Sequence, residues 1–207
     1  LGIIMQYGIT IGEQMGRAIA RESSAMGVAQ ALSPLFDLAR DARYGRVEEC
    51  YGECPFLVAR MGVAFVAGLQ GAVGPRPLAA DRILATAKHF AGYSVPDNGI
   101  NLAPSSLGER QLRALHLAPF EAAVKEAGVQ VVMPSYNEVD GVPAHANRWL
   151  LTTVLREEWG FAGYTFADYG ALAMLDGFHH VVAGPDEAGA AALAAGLDLE
   201  APSAWGF

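Results

Sequence analysis

Cysteine is nearly absent: the 207 residues contain only Cys50 and Cys54, four apart. A disulfide framework or a four-ligand zinc site needs more partners than this, so both are read as free thiols. Charge is also scarce, at 17% of residues, and its balance is acidic: 14 Lys and Arg stand against 22 Asp and Glu, for a net −8. Such a chain repels phosphate backbones, which argues against nucleic acid as a partner; a neutral ligand would be indifferent to it. No apolar run reaches the roughly 18 residues needed to cross a bilayer. Residues 1–20 lack the basic start, apolar middle and small-residue cleavage pattern of a secretory signal. They also lack an initiating Met, so the compartment stays open. No low-complexity block and no fixed-period repeat interrupts the chain.

What is present is apolar material, 52% of residues, enough for one substantial core. Residues 11–26 read as a helix, because Ile11, Met15, Ala18, Ile19 and Met26 recur near 3.6 spacing, with charges between them and Gly27 to stop it. Residues 27–34 read as a short buried strand. Pro55–Gln70 is a second helix, with Pro near its start and Gly71 after its end. Residues 84–89 form a strand. A long helix spans 109–127, opened by Ser106 and Glu109 as a capping pair and closed by Gly128. The β-branched run 129–133 is a strand. A helix at 149–159, capped at Asn147, precedes a strand at 163–167. The Ala-rich helix Pro185–Ala195 leads to a last short strand at 197–200.

Strands alternating with helices predict an α/β fold with a parallel sheet covered on both faces. Polar residues cluster where strands stop: Lys88 and His89, Ser135 to Asn137, Asp168 and Tyr169. Catalytic groups gather at the carboxyl ends of the strands in a (β/α)8 TIM-like barrel. About five strands can be read, so the expectation is an incomplete barrel, since a complete one takes ~250 residues.

Four segments carry a family resemblance: R-D-A-R-Y-G-R-V-E-E from Arg40, A-K-H-F-A-G from Ala87, S-Y-N-E-V-D-G-V-P-A-H-A-N from Ser135, and E-W-G-F-A-G-Y-T-F-A-D-Y-G-A from Glu158. In order and spacing the chain resembles the N-terminal catalytic barrel of glycoside hydrolase family 3, over roughly residues 11–201. The resemblance implies a retaining exo-hydrolase that releases terminal β-D-glucosyl or β-D-xylosyl residues through a covalent intermediate. Asp168 would be the nucleophile, since such chemistry needs a carboxylate at the anomeric carbon; unaided by the motif, it reads as a turn residue at a strand end. Lys88 and His89 would hydrogen-bond the sugar hydroxyls, Arg46 would bind the sugar with its rigid fork, Tyr136 would lie beside the nucleophile, and Tyr169 would wall the sugar. The implied partner is a β-glycoside or oligosaccharide, with no cofactor and no metal.

The remaining polar residues are read as structural. Arg40 and Arg43 are ion-pair residues, His145 and Asn147 loop and cap residues, and His116 a packed surface residue in a helix. His179 and His180 lie in a polar turn without carboxylates at ligand spacing.

The chain departs from the family in several places. Tyr169 replaces the usual Trp, and Cys54 stands where Asp is common. Residues 1–30 lack the family's sugar-binding Asp-Gly-Pro…Arg segment. The loop 91–101 lacks the His that serves the N-acetylglucosaminidase branch as acid/base. The proton donor is therefore expected from outside the chain, on a sandwich domain absent from it, which makes 1–207 one partial barrel domain. Two other readings stay open: a non-catalytic sugar-binding remnant or inactive fragment, and an aldolase using Lys88 as a Schiff base.

Overall fold

The computed structural model describes residues 2–71 and 78–207, with side chains from residue 7 onward. Its centre is a four-stranded parallel sheet. The strands are β1 (Gln30–Ala31), β2 (Leu84–Phe90), β3 (Val131–Pro134) and β6 (Tyr164–Thr165), in the spatial order β1-β2-β3-β6. A small antiparallel hairpin, β4 (Glu138–Val139) and β5 (Val142–Pro143), follows β3. Phe166 bridges Leu199 in parallel, which marks the place of the fifth strand expected at 197–200. Among the described residues the sheet does not close on itself, in keeping with the incomplete-barrel expectation.

The helices cover the sheet: α1 (Gly2–Ala25), α2 (Pro55–Gln70), α3 (Glu109–Gln111), α4 (Ala118–Lys125), α5 (Ala171–Gly177) and α6 (Pro185–Ala195). The middle of the predicted 109–127 helix is wound as a π-helix at Leu112–Leu117, between α3 and α4. The helix predicted at 149–159 is likewise a π-helix, Trp149–Glu158. It buries Leu150, Leu151, Val154 and Leu155. Apolar pairs spaced four apart suit either winding, so periodicity could not separate them.

Three local expectations need correction. The Ser106–Glu109 capping pair does not form. Gly108 is the N-cap, so Ser106 lies too far back, and its hydroxyl donates to Asp97 at 2.8 Å. The strand expected at 27–34 is hydrogen-bonded as β1 only over Gln30–Ala31, with a further bridge from Leu35 to Lys88. The helix found in 11–26 begins earlier, and the apolar residues that betrayed it point outward: Ile11, Met15 and Met26 are each more than half exposed. Its buried stripe is instead Gly12, Gly16 and Ala20. These small residues let α1 and α2 touch backbone to backbone, Gly16 against Gly68. A Cβ on Gly68 would stand 2.3 Å from the Glu13 carbonyl oxygen.

Aromatic packing fills the space between sheet and helices. Phe120 of α4 lies 5.4 Å from Phe36 and 5.2 Å from Phe90, and Trp159 lies 5.8 Å from Phe90. Burying each such ring contributes about 2–3 kcal/mol. At the amino end of the sheet, buried Gln70 accepts from the N–H groups of Ala85 and Gln130 and donates to the Gly128 carbonyl, tying α2 to β2 and β3. The opposite, carboxyl end is thereby left to carry polar groups of a different kind.

Candidate active site

At the carboxyl end each strand delivers chemistry. The segment after β1 brings Asp37 and Arg46; β2 ends in Lys88 and His89; Ser135 and Tyr136 follow β3; Asp168 and Tyr169 follow β6. Register on β3 shifts between Ala87 and Phe90, where Lys88 and His89 lie.

His89 is the hub, with its side chain 1% exposed. Its Nδ1 lies 2.7 Å from Oδ2 of Asp37, and its Nε2 lies 3.1 Å from Nη1 of Arg46. A guanidinium can only donate, so Nε2 accepts and Nδ1 carries the proton that it donates to Asp37. Asp168 Oδ2 stands 3.8 Å from the same Nε2, beyond hydrogen-bonding range. The other two faces of the Arg46 fork are held by Glu49, at 2.6 and 2.8 Å. That pairing raises the Arg46 pKa and lowers that of Glu49. Lys88 is half-buried; burial first, then the Arg46 charge, lowers its pKa against the pull of Asp168 and Glu49.

Asp168 is anchored at two points. Its Oδ1 accepts the N–H of Tyr169 at 2.8 Å, and its own N–H donates to Nε2 of His145 at 3.1 Å. Tyr136 donates its hydroxyl to the Tyr169 carbonyl at 2.8 Å, and burial, then the Asp168 charge, raises its pKa. Tyr169 is 52% exposed at the rim. Below it the rings of Tyr44, Tyr93 and Tyr136 step across the site, with centroids 5.5 and 6.1 Å apart. Tyr93 also packs against His89 and lies under the Arg46 guanidinium.

Arg46, Lys88, His89, Tyr136, Asp168 and Tyr169, all singled out from the sequence, thus come together at the carboxyl end of the sheet. Four neighbours were missed as site residues: Asp37, Glu49, Tyr93 and His145. Asp37 had a visible signal, a lone carboxylate inside the apolar run Leu35-Phe36-Asp37-Leu38. His145, read as loop structure, is wholly buried against the Asp168 backbone. Asn147 does cap: its side-chain oxygen accepts from Leu150 N–H at 3.1 Å. Arg43 pairs with Asp41, but Arg40 makes no ion pair among the described residues. His116 is no surface residue; it is 2% exposed. His179 pairs with Glu138 at 2.9 Å. Cys50 is a thiol whose pKa burial pushes up to about 12, and Cys54 is exposed.

Comparison with known proteins places the whole chain in a family. A β-xylosidase from Formosa agariphila is 48% identical over 189 residues, which is 91% of this chain and 26% of that protein. The periplasmic β-glucosidase of Salmonella typhimurium is 33% identical over 96% of this chain and 25% of its own length. The β-glucosidase structure from Erythrobacter marinus superposes with a TM-score of 0.90 at 40% identity, covering 95% of this chain and 26% of that one. The chain thus spans about a quarter of the length of these relatives. The model of the glycosyl hydrolase family 3 N-terminal domain matches residues 4–204, and with the strand-end cluster in place the chain belongs to that family.

Proposed function

We propose that this domain carries the nucleophile and sugar-binding half of a retaining exo-glycosidase acting on terminal β-D-glucosyl or β-D-xylosyl residues. The observation that carries the reading is the Asp168 carboxylate. One oxygen is tied down by Tyr169 N–H, and the other faces the cluster of His89, Arg46 and Lys88. Relatives named β-xylosidase and β-glucosidase support the substrate class.

In the first step an Asp168 oxygen bonds to the anomeric carbon as the glycosidic C–O bond breaks. A general acid from outside the described residues, expected on a following sandwich domain, protonates the departing oxygen. In the second step that group, now a base, takes a proton from water. The water oxygen bonds to the same carbon, and the Asp168 carboxylate leaves regenerated. Lys88 and Arg46 offer cationic donors to the ring hydroxyls, and Tyr136 and Tyr169 border it. His89, with both nitrogens engaged, serves the sugar through Arg46 or by releasing it. The Asp168 carboxylate gains most as positive charge grows on the ring carbon and oxygen, while the donors fix the ring for attack.

The test uses the protein at its full encoded length, treated with 2-deoxy-2-fluoro β-glucoside and β-xyloside. Label is expected on the peptide spanning residues 164–171, and Asp168→Asn should lower aryl β-glycoside hydrolysis by ~10³-fold or more. Label on another peptide, or undiminished hydrolysis by the variant, would overturn the assignment. The faster-labelling sugar identifies the preferred substrate.

A further inference from the structure

His145 sits in the short 3-10 turn Ala144–Ala146, between the β4–β5 hairpin and the π-helix Trp149–Glu158. Its ring reaches back between the ends of two neighbouring strands. On one side Nε2 accepts the Asp168 N–H at 3.1 Å, just past β6. On the other, the backbone of Ser135, just past β3, favours the protonated ring, against the larger effect of burial. With Nε2 accepting from a backbone N–H, the neutral ring carries its proton on Nδ1. Burial supports it, pushing the imidazole down to about 4.

We propose that His145 is a positioning residue for the nucleophile: through the Asp168 peptide N–H it sets the angle at which the carboxylate meets the anomeric carbon. The inference rests on Asp168 being the nucleophile. Its N–H lies one bond from the Cα that carries the attacking side chain. With Oδ1 already held by Tyr169 N–H, fixing the peptide leaves Oδ2 as the oxygen free to attack. The Tyr136 ring, 6.3 Å from the His145 ring, and its bond to the Tyr169 carbonyl hold the same turn from its other end. A misplacement of about 1 Å in a reacting group costs on the order of 10²-fold in rate. A rigid planar acceptor suits this task better than water or a flexible side chain.

Two amide substitutions separate positioning from packing. In His145→Gln the side-chain oxygen reaches the depth of Nε2 and can still accept from Asp168. In His145→Asn the shorter amide cannot reach the Asp168 N–H. Both are measured in the full-length protein by inactivation with the 2-deoxy-2-fluoro glycoside, which yields a maximal rate constant and a dissociation constant. His145→Asn should lower the rate constant by about 30-fold with the dissociation constant within about threefold, and His145→Gln should recover to within about fivefold of the parent. Equal rates in the two variants, or a loss confined to the dissociation constant, would overturn the proposal while leaving Asp168 in place. Label off Asp168 in the parent would remove both readings. Should either variant fail to fold, solid-state ¹⁵N NMR of the histidine-labelled parent decides. A proton on Nδ1 at neutral pH is expected, and a proton on Nε2 would overturn the clamp.

Discussion

Asp37 shows how a single buried carboxylate can fix the proton of a neighbouring imidazole. Its charge receives the His89 Nδ1 proton at 2.7 Å, which leaves Nε2 as an acceptor for Arg46. Asn at this position can offer either an acceptor or a donor, so the tautomer is no longer enforced, and a protonated Nε2 would oppose the guanidinium. Asp37→Asn is expected to lower kcat by about 10- to 100-fold. Asp37→Ala, which orphans a buried N–H, should also cost about 2–3 kcal/mol of stability. Steady-state kinetics and thermal unfolding check the pair, and a wild-type kcat in the Asn variant would refute the coupling. Asp37 was legible as a carboxylate in an apolar run, but its partner was not. The contact joins residues 52 apart in sequence, and only strand pairing brings them together. Lys88 and Asp168 were readable because their motifs are local.

Among the elements, the α1–α2 pair is where sequence periodicity pointed to the right helix and the wrong face. Ile11 and Met15 suggested a conventional apolar stripe, whereas the contact runs along Gly12, Gly16 and Ala20. A hydrophobic pattern reports helical geometry, but not which side meets a neighbour when glycines permit backbone contact. Gly68→Ala tests the contact. Ala favours a helix interior over Gly by about 1 kcal/mol, but its methyl would collide with the Glu13 carbonyl and the Gly16 Cα. Overpacking of this kind costs about 1–3 kcal/mol, so a net loss is expected, read as a fall of several degrees in Tm. Gly177→Ala in α5, where a Cβ meets nothing within 4 Å, should be neutral or mildly stabilising and serves as control.

At the scale of the whole molecule, stability should depend on pH through two buried imidazoles. Burial lowers both His116 and His145 from 6.5 to about 4. Between those values the unfolded chain binds protons that the folded chain does not, so stability rises with pH across the window and is lost as pH falls from 6.5 toward 4. Each group accounts for a change on the order of 3 kcal/mol. Thermal unfolding from pH 7 to 4 should show the fall. His116→Leu should flatten it by about half, since His116 Nε2 has no hydrogen-bond partner to lose. An unchanged slope in that variant would count against the buried, neutral form of His116.

The amino-acid sequence by itself determined the α/β alternation and the run of main strands and helices, and its family motifs singled out the six residues that the fold brings to the carboxyl end of the sheet. Each of these rests on local spacing, on stop signals or on short motifs. Tertiary structure alone decided which helix face packs, where π winding replaces α, and that Asp37, Glu49, Tyr93 and His145 join the site. The packing face and the arrival of Asp37 and His145 depend on contacts between residues far apart in the chain, set by strand register and close backbone approach, which no periodicity along the sequence encodes; Glu49 is local to Arg46, but only the fold shows that pair to be part of the cluster.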